Sequence, residues 1–284
     1  MTAPKLSPRR LAVALALVAC AGLAVTTVAS AATKLSWKNA KPVTLRGGGS
    51  DTTYIADQIV WLECGGKATA VLSGWTGPKA PVAMVYSHLI KTNRNMGLAV
   101  RRPMSGGKLR ARTLCLTGAR VTTREKEGGP VSCAARQIAI GVPIDGFYWT
   151  EPVVSKPVGA RGWTTEGQGN YSRSKVICAP SKAFRKVQRI RKATTFAAGK
   201  ATATVRAACK GGRRPISWGF EVGVMEDNGW RSESSGTTMT VPFISASLPQ
   251  GKAGWKLTFA TPDGAPARSG GTPLAIHVTC AVPR

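Results

Sequence analysis

Short runs of alternating apolar and polar residues, separated by turn residues, make up most of the chain. In 58–63, Ile59 and Trp61 fall on one side of an extended strand, and Val60 and Leu62 fall on the other. Gly, Pro, Asn and Asp interrupt such runs about every ten residues, with Thr and Val between them. This pattern predicts an all-β fold. Further strands are expected at 42–45, 69–73, 82–86, 97–100, 112–116, 138–142 and 149–154.

A set of motifs recurs along the chain and indicates an internal repeat. The middle copy opens at Cys133 and closes at Cys178. Between these cysteines it contains Ser155-Lys156-Pro157 followed by Gly162-Trp163. An internal repeat bears on the fold of the whole chain more strongly than the pattern of any single strand. A later copy has the same motifs, with the same spacing between the inner two: Cys209, Ser247-Leu248-Pro249, Gly254-Trp255 and Cys280.

An earlier copy of the repeat is weaker. It opens at Cys64 and closes at Cys115. Tyr86-Ser87-His88 stands roughly in place of Ser-x-Pro, and Met96-Gly97-Leu98 stands in place of Arg-Gly-Trp. The expected repeats cover 32–117, 118–180 and 194–284, with 181–193 between the last two.

Three repeats favour one pseudo-threefold body. Units of this size are marginal alone, so we expect them to share a core. The hydrophobic fraction of 43% is sufficient for that. We predict three disulfide-bridged antiparallel β repeats, each giving a small sheet of a closed body like a β-prism or trefoil. Tandem β-sandwich units are the alternative.

The first 31 residues have the pattern of an export signal. Lys5, Arg9 and Arg10 form a basic start, 11–28 is apolar, and Ala29-Ser30-Ala31 is a small-residue cleavage site. We therefore predict a signal peptide over 1–31 and a secreted, extracellular mature chain without a transmembrane span.

Lipid anchoring is the alternative at this end of the chain. Leu17-Val18-Ala19-Cys20 has the form of a lipobox, which would make Cys20 a lipid-bearing residue. The residues after Cys20 stay apolar through Val28, whereas a lipoprotein normally becomes polar there. This favours cleavage after residue 31.

The cysteines after Cys20 predict a disulfide framework. Their number is even, which in an exported chain indicates bridges rather than free thiols. Six cysteines allow 15 pairings. No CxxC motif or Cys/His cluster is present, so a metal site is disfavoured and no cofactor is expected. The repeat selects one pairing: Cys64 with Cys115, Cys133 with Cys178, and Cys209 with Cys280.

The chain is strongly basic, with 40 Lys and Arg against 13 Asp and Glu and a net charge of +27. Such a charge favours negatively charged partners. Phe184, Val187 and Ile190 recur at three-residue spacing in the most basic segment, so 181–193 is expected to be a short helix or an extended basic linker. The candidate binding residues are Lys182, Arg185, Lys186, Arg189, Arg191, Lys192, Arg101, Arg102, Arg213 and Arg214.

The repeat motif resembles that of uncharacterised secreted proteins of actinobacteria. The likeness spans most of 64–280 and is most specific in the second and third copies. In those proteins the opening cysteine is often followed by Pro-x-Gly, and here Gly65-Gly66, Ala134-Ala135 and Lys210-Gly211 stand there instead. The resemblance implies export and a β scaffold, and it implies no catalytic residue.

Candidate catalytic residues are few. The two histidines, His88 and His277, lie in no hydrolase or metalloprotease motif. His277 alternates with apolar neighbours and is expected to be a satisfied histidine on a strand face. Glycoside hydrolysis needs two facing carboxylates. Asp145, Glu151 and Glu166 are the acids least typical of turns, but nothing fixes their separation, so we expect no enzyme.

The expected function is attachment. Basic patches, with tryptophans near turns, suit sugars or phosphate-bearing polymers. We expect binding to anionic or glycan cell-envelope material or to a secreted protein, and nucleic acid is disfavoured because no RNP or OB-type signature is present. A secreted hydrolase or enzyme inhibitor acting through the loop 231–238 is the alternative. The tryptophans are Trp75, Trp149, Trp218 and Trp230.

Overall fold

The computed structural model describes residues 32–45, 58–77, 85–92, 95–100, 107–141, 152–167, 173–223, 242–261, 266–267 and 270–284. The predicted signal peptide lies outside these ranges. Within them, no helix is long and apolar enough to cross a membrane. The strands are β1 (Lys34–Asn39), β2 (Val43–Leu45), β3 (Gln58–Glu63), β4 (Thr69–Thr76), β5 (Val85–Thr92), β6 (Asn95–Val100), β7 (Gly107–Thr117), β8 (Thr122–Glu127), β9 (Val131–Ser132), β10 (Gln137–Gly141), β11 (Pro152–Val158), β12 (Gly162–Gly167), β13 (Arg173–Pro180), β14 (Phe184–Phe196), β15 (Thr202–Ala208), β16 (Arg214–Val222), β17 (Phe243–Gln250), β18 (Gly254–Ala260) and β19 (Thr272–Pro283).

Each repeat uses the same antiparallel strand pairing. The strand with the closing cysteine lies between the first strand of its repeat and the strand that follows the opening cysteine, giving β1-β7-β4, β8-β13-β10 and β14-β19-β16. The other three strands form a second group, giving β3-β6-β5, β9-β12-β11 and β15-β18-β17. The predicted all-β repeat fold is therefore confirmed.

Sheets are shared between repeats. Strand β4 of the first repeat pairs with β17 of the third, and β16 of the third pairs with β11 of the second. Each of these sheets therefore joins halves of two repeats, whereas β10-β13-β8 and β3-β6-β5 are described as separate three-stranded sheets. Both the alternative of tandem sandwich units and the expectation of one sheet per repeat are wrong, because half-sheets pair across repeats. The finer β-prism or trefoil arrangement stays a prediction.

The predicted disulfide pairing is confirmed. The bridges are Cys64–Cys115, Cys133–Cys178 and Cys209–Cys280, with Cα–Cα distances of 5.7, 5.6 and 5.7 Å. They close loops with sequence separations of 51, 45 and 71 residues. The chain-entropy model assigns a loop of this size about 4 kcal/mol of stabilisation.

Equivalent bulges in the three repeats meet in the core. Strands β4, β10 and β16 each slip register by one residue opposite the closing strand, and the extra residues are Val71, Ile140 and Ile216. All three are completely buried, and the three strands contact one another. A Cβ atom on Gly141 would overlap the carbonyl oxygen of Val71. The close approach of the bulges thus requires glycine at this position.

The segment 181–193 is not a helix. It holds a 3-10 turn, Ser181–Ala183, and most of strand β14, which pairs with β19 from Phe184 to Phe196. The three-residue apolar spacing misled the prediction, since Phe184 is buried but Val187 is 44% exposed. Long-range pairing with β19 overrides the weak local preference. The extended alternative is right about the backbone, although the segment is a paired strand and not a linker.

Candidate functional site

Strand β14 and the 3-10 turn before it carry six of the ten candidate binding residues. Lys182, Arg185, Lys186 and Lys192 are exposed. Their side chains make no hydrogen bond or ion pair within the part of the chain that the structure describes. Arg101 and Arg102, the other candidates in the first repeat, lie outside the described residues.

One arginine side chain brings two predicted basic patches together. The Nε of Arg213 donates to the carbonyl of Lys186 at 2.7 Å, and its Nη1 donates to the carbonyl of Lys210 at 2.8 Å. The turn after Cys209 is therefore held against the start of β14. Arg213 acts here as a clamp through its Nε and Nη1, and its role as a ligand-binding cation stays a prediction.

We call Lys182, Arg185, Lys186 and Lys210 the basic end cluster. All four are exposed at the end of the β14-β19-β16 half-sheet. Arg214 begins β16 at the same end, and its guanidinium donates to the carbonyl of Leu35 at 3.4 Å. Hydrogen bonds from the Arg213 and Arg214 side chains to backbone carbonyls thus fix the segments that carry several like charges.

Acidic residues do not neutralise this cluster within the described ranges. The ion pairs of the described residues lie elsewhere: Glu125 accepts from Arg173 at 2.8 Å and lies 3.4 Å from the Nζ of Lys175. Glu221 is engaged by a different set of cations on the sheet face. The basic end cluster therefore has no ion pair within the described ranges, which leaves its four cations available to an external anion.

Arg189, another candidate binding residue, makes structural contacts, and its binding role stays a prediction. Its two terminal nitrogens donate to the carbonyls of Gly159 and Ala160, in the turn between β11 and β12. The side chain is partly buried, and burial lowers the pKa of Arg189 from its ordinary value. It fixes β14 to the neighbouring hairpin.

Arg191 belongs to a polar cluster on the same sheet. Glu221 Oε1 lies 3.4 Å from the Nε of Arg191 and 3.7 Å from the Nζ of Lys156. The same oxygen is hydrogen-bonded to the Nε2 of His277. The prediction that His277 is a satisfied histidine on a strand face is confirmed.

The pKa values of this cluster shift in one direction. Burial would raise the pKa of Glu221, but hydrogen bonds from Arg191 and His277 and the charges of His277 and Lys156 outweigh it and lower the pKa. Burial lowers the pKa of His277, and the charges of Arg191 and Lys156 add to this against the opposing effect of Glu221. At neutral pH the imidazole is uncharged, and its Nε2–H donates to the carboxylate.

The tryptophans near turns are not all at the surface. Trp75 and Trp218 are buried, and their ring centroids lie 5.6 Å apart. Trp218 lies in the middle of β16 and Trp75 near the end of β4, and because both are buried the expectation that they stack on sugars is wrong. Trp149 and Trp230 lie outside the described residues.

The Ser-x-Pro and Gly-Trp motifs form a structural unit. The indole Nε1 of Trp163 donates to the Oγ of Ser155 at 2.9 Å, and that of Trp255 donates to the Oγ of Ser247 at 3.0 Å. All four side chains are buried. The repeat motif therefore specifies packing and carries no chemistry of its own.

Little supports catalysis in the described residues. Glu166 is exposed and accepts a hydrogen bond from the hydroxyl of Thr164 at 3.4 Å. No group of His, Cys, Asp or Glu in these ranges could hold a metal ion. A shallow, open depression of about 420 Å³ lies beside β8 and β9 and is lined by Arg124, Glu125 and Lys126 with Pro130, Val131 and Ser132. Asp145, Glu151, the side chain of His88 and the loop 231–238 lie outside the description.

Sequence reasoning missed Lys156, Lys210 and Glu221. Lys156 is the central residue of a Ser-x-Pro motif and attracted attention only as part of it. Lys210 follows an opening cysteine, and its position beside Lys186 depends on the Arg213 clamp. Glu221 alternates with buried residues in β16, which was the one available signal that it faces away from the core.

Comparison with known proteins leaves the family open. A scan against protein-family models finds no match to this sequence, and a search of curated proteins finds none either. The resemblance to secreted actinobacterial repeat proteins therefore stays a prediction.

Proposed function

We propose that this is a secreted, non-enzymatic attachment protein that binds anionic polymers of a cell envelope through the basic end cluster. The observation that supports it is the set of four exposed cations, Lys182, Arg185, Lys186 and Lys210, without an acidic partner in the described ranges. The three disulfides and the β scaffold are compatible with an extracellular location.

A polymer suits the cluster better than a small anion. Each exposed ion pair contributes only about 0–1 kcal/mol. A chain with repeated negative charges can engage all four cations together, so the second and later contacts form at high effective concentration. The cations also lie on an open strand end instead of within a pocket, which suits an extended ligand.

The Arg213 clamp gives this surface a defined shape. Its two hydrogen bonds fix the backbone at Lys186 and Lys210, so these cations are held in place before a ligand arrives. Prior organisation reduces the entropy lost on binding. Salt should weaken the interaction strongly, because exposed charges are screened beyond about 8 Å at physiological ionic strength.

Co-sedimentation of the oxidised mature protein with purified cell-wall material across a salt series tests the proposal. We expect retention at low salt that is lost at moderate salt. The variant Lys182→Gln, Arg185→Gln, Lys186→Gln, Lys210→Gln should lose retention. The matched control, which removes the same charge at exposed sites elsewhere, should keep it: Lys67→Gln, Lys108→Gln, Lys200→Gln and Lys252→Gln.

The outcomes separate local from general charge effects. Equal losses in both variants would show that net charge and not the cluster causes attachment. Retention of neither the native protein nor the control at any salt would overturn the proposal. Near-identical thermal unfolding of the two variants establishes that the comparison concerns folded proteins.

A further inference from the structure

Strand β14 is an open sheet edge. It pairs with β19 along one side, and no ladder is formed on its other side within the described residues. Strand β15 follows after a turn and contacts β14 without pairing with it. From 185 to 195 every residue is exposed or half-buried. A row of backbone N–H and C=O groups is thus available to another strand.

This edge differs from the equivalent edges of the other repeats. In the first repeat the edge is divided into β1 and β2, and in the second β8 has 6 residues. Strand β14 has 13 residues without interruption. It is therefore the longest continuous edge among the first strands of the three repeats.

The bulge at the start of β14 limits the usable edge. The register with β19 shifts between Arg185 and Gln188, and Lys186 has a φ of 53°. The carbonyl of Lys186 is already occupied by Arg213. An added strand can therefore follow the regular part of β14, from Gln188 to Thr195.

Charge selects the occupant of this edge. Arg191 and Lys192 are neighbours and therefore project to opposite faces of the strand. Lys192 makes no ion pair within the described ranges, and the Arg191 side chain is 56% exposed although its Nε lies 3.4 Å from Glu221 Oε1. Arg189 is the third cation of the regular part, and 188–195 contains no acidic residue. A second copy of β14 would place like charges opposite each other, which is destabilising. An acidic strand would place opposite charges there.

We propose that β14 binds an extended acidic peptide of a protein partner as an added β-strand along 188–195. Main-chain hydrogen bonds to the open edge provide affinity, and acidic side chains opposite the cations provide specificity. Val187, 44% exposed beside the bulge, offers an apolar contact to one end of the peptide. This site uses the regular part of β14, whereas the polymer is proposed to bind the basic end cluster.

The test uses three fluorescent octapeptides and the full oxidised mature protein. The first alternates Glu with Thr or Val, the second has the same charge but prolines that interrupt hydrogen bonding on both edges, and the third replaces Glu by Lys. We expect the first to bind at least about tenfold more tightly than the second by fluorescence anisotropy, because proline cannot donate to a ladder. The Lys peptide should not bind.

Hydrogen exchange locates the peptide. Amides at alternate positions between 188 and 195 should exchange more slowly with the first peptide bound, and amides of β8 should not change. Equal affinity for the first two peptides would show that charge alone causes binding, and this would overturn strand addition. Failure of the Glu peptide to bind would also overturn it, whatever the outcome of the cell-wall sedimentation.

A second copy of the chain is the other possible occupant of this edge, and self-association tests for it. If sedimentation velocity shows a concentration-dependent dimer that the Glu peptide dissociates, the edge belongs to a second copy of the chain and the proposal is wrong. A monomer at all concentrations, together with selective binding of the Glu peptide, supports an acidic protein partner.

Discussion

Replacing Ser247 by alanine should destabilise the protein, because the indole N–H of Trp255 loses its hydrogen-bond acceptor. Ser247 and Trp255 are both completely buried, and the hydroxyl accepts the indole N–H at 3.0 Å. Without the hydroxyl, the indole N–H is shielded from water in the folded protein and has no hydrogen-bond acceptor in its place. Leaving a buried donor unsatisfied costs about 1–3 kcal/mol. We expect Ser247→Ala to lower the free energy of unfolding by an amount in this range.

A double-mutant cycle separates the hydrogen bond from packing. Trp255→Phe removes the N–H and some ring volume, and adding Ser247→Ala to it should cost much less than Ser247→Ala alone. The coupling free energy should be about 1 kcal/mol. Urea denaturation of the oxidised protein measures all four corners, and the slope must stay constant for the comparison to hold.

The second copy of the motif provides a replicate. Ser155→Ala should behave like Ser247→Ala, because Trp163 donates to Ser155 at 2.9 Å in an equally buried site. Ser36→Ala, at an exposed position, is the control and should change stability little. A loss of less than about 0.3 kcal/mol for both buried serines, or no coupling, would refute the structural role of the motif.

Three further predictions concern pH, a bridge and a glycine. Because the folded-state pKa of Glu221 is lowered, its contribution to stability is present above its ordinary pKa of 4.5 and is lost as pH falls. The folded-state pKa of His277 is also lowered, so protonation of this imidazole costs stability as pH falls below its ordinary value of 6.5. The melting temperature should therefore fall between pH 7 and pH 4. The fall should be smaller in the double variant Glu221→Gln, His277→Asn. Replacing the bridge Cys133–Cys178 by serines should cost about 4 kcal/mol, or less if the unfolded chain is compact, as measured by urea denaturation of the oxidised proteins. Gly141→Ala should cost about 1–3 kcal/mol by the same assay, because its Cβ meets the carbonyl of Val71, whereas Gly65→Ala has room and serves as the control.

The disulfide pairing was predictable because each copy of the repeat has one opening and one closing cysteine at equivalent positions. Each opening cysteine has one closing partner in its copy, and no local conformation has to be known to pair them. Repetition supplies long-range information that a single strand lacks.

Features that depend on contacts between repeats were not predictable. The apolar spacing of Phe184, Val187 and Ile190 is equally compatible with a helix, and pairing with β19 decides the matter. Trp75 follows a glycine and resembles a turn residue in the sequence. It is buried because its strand pairs with β17 in the third repeat, at Ser247, which nothing near Trp75 indicates.

The pairing of half-sheets across repeats also determines when this chain can fold. The indole of Trp218 donates to the carbonyl of Ser73, 145 residues earlier. The first repeat therefore cannot form all of its native contacts until the third repeat has been synthesised. Such long-range pairing is intrinsically slow. A third repeat made alone would lack the partner strand β4 on one side and the partner strand β11 on the other. The third repeat therefore links the other two, and its late synthesis sets when both shared sheets can form.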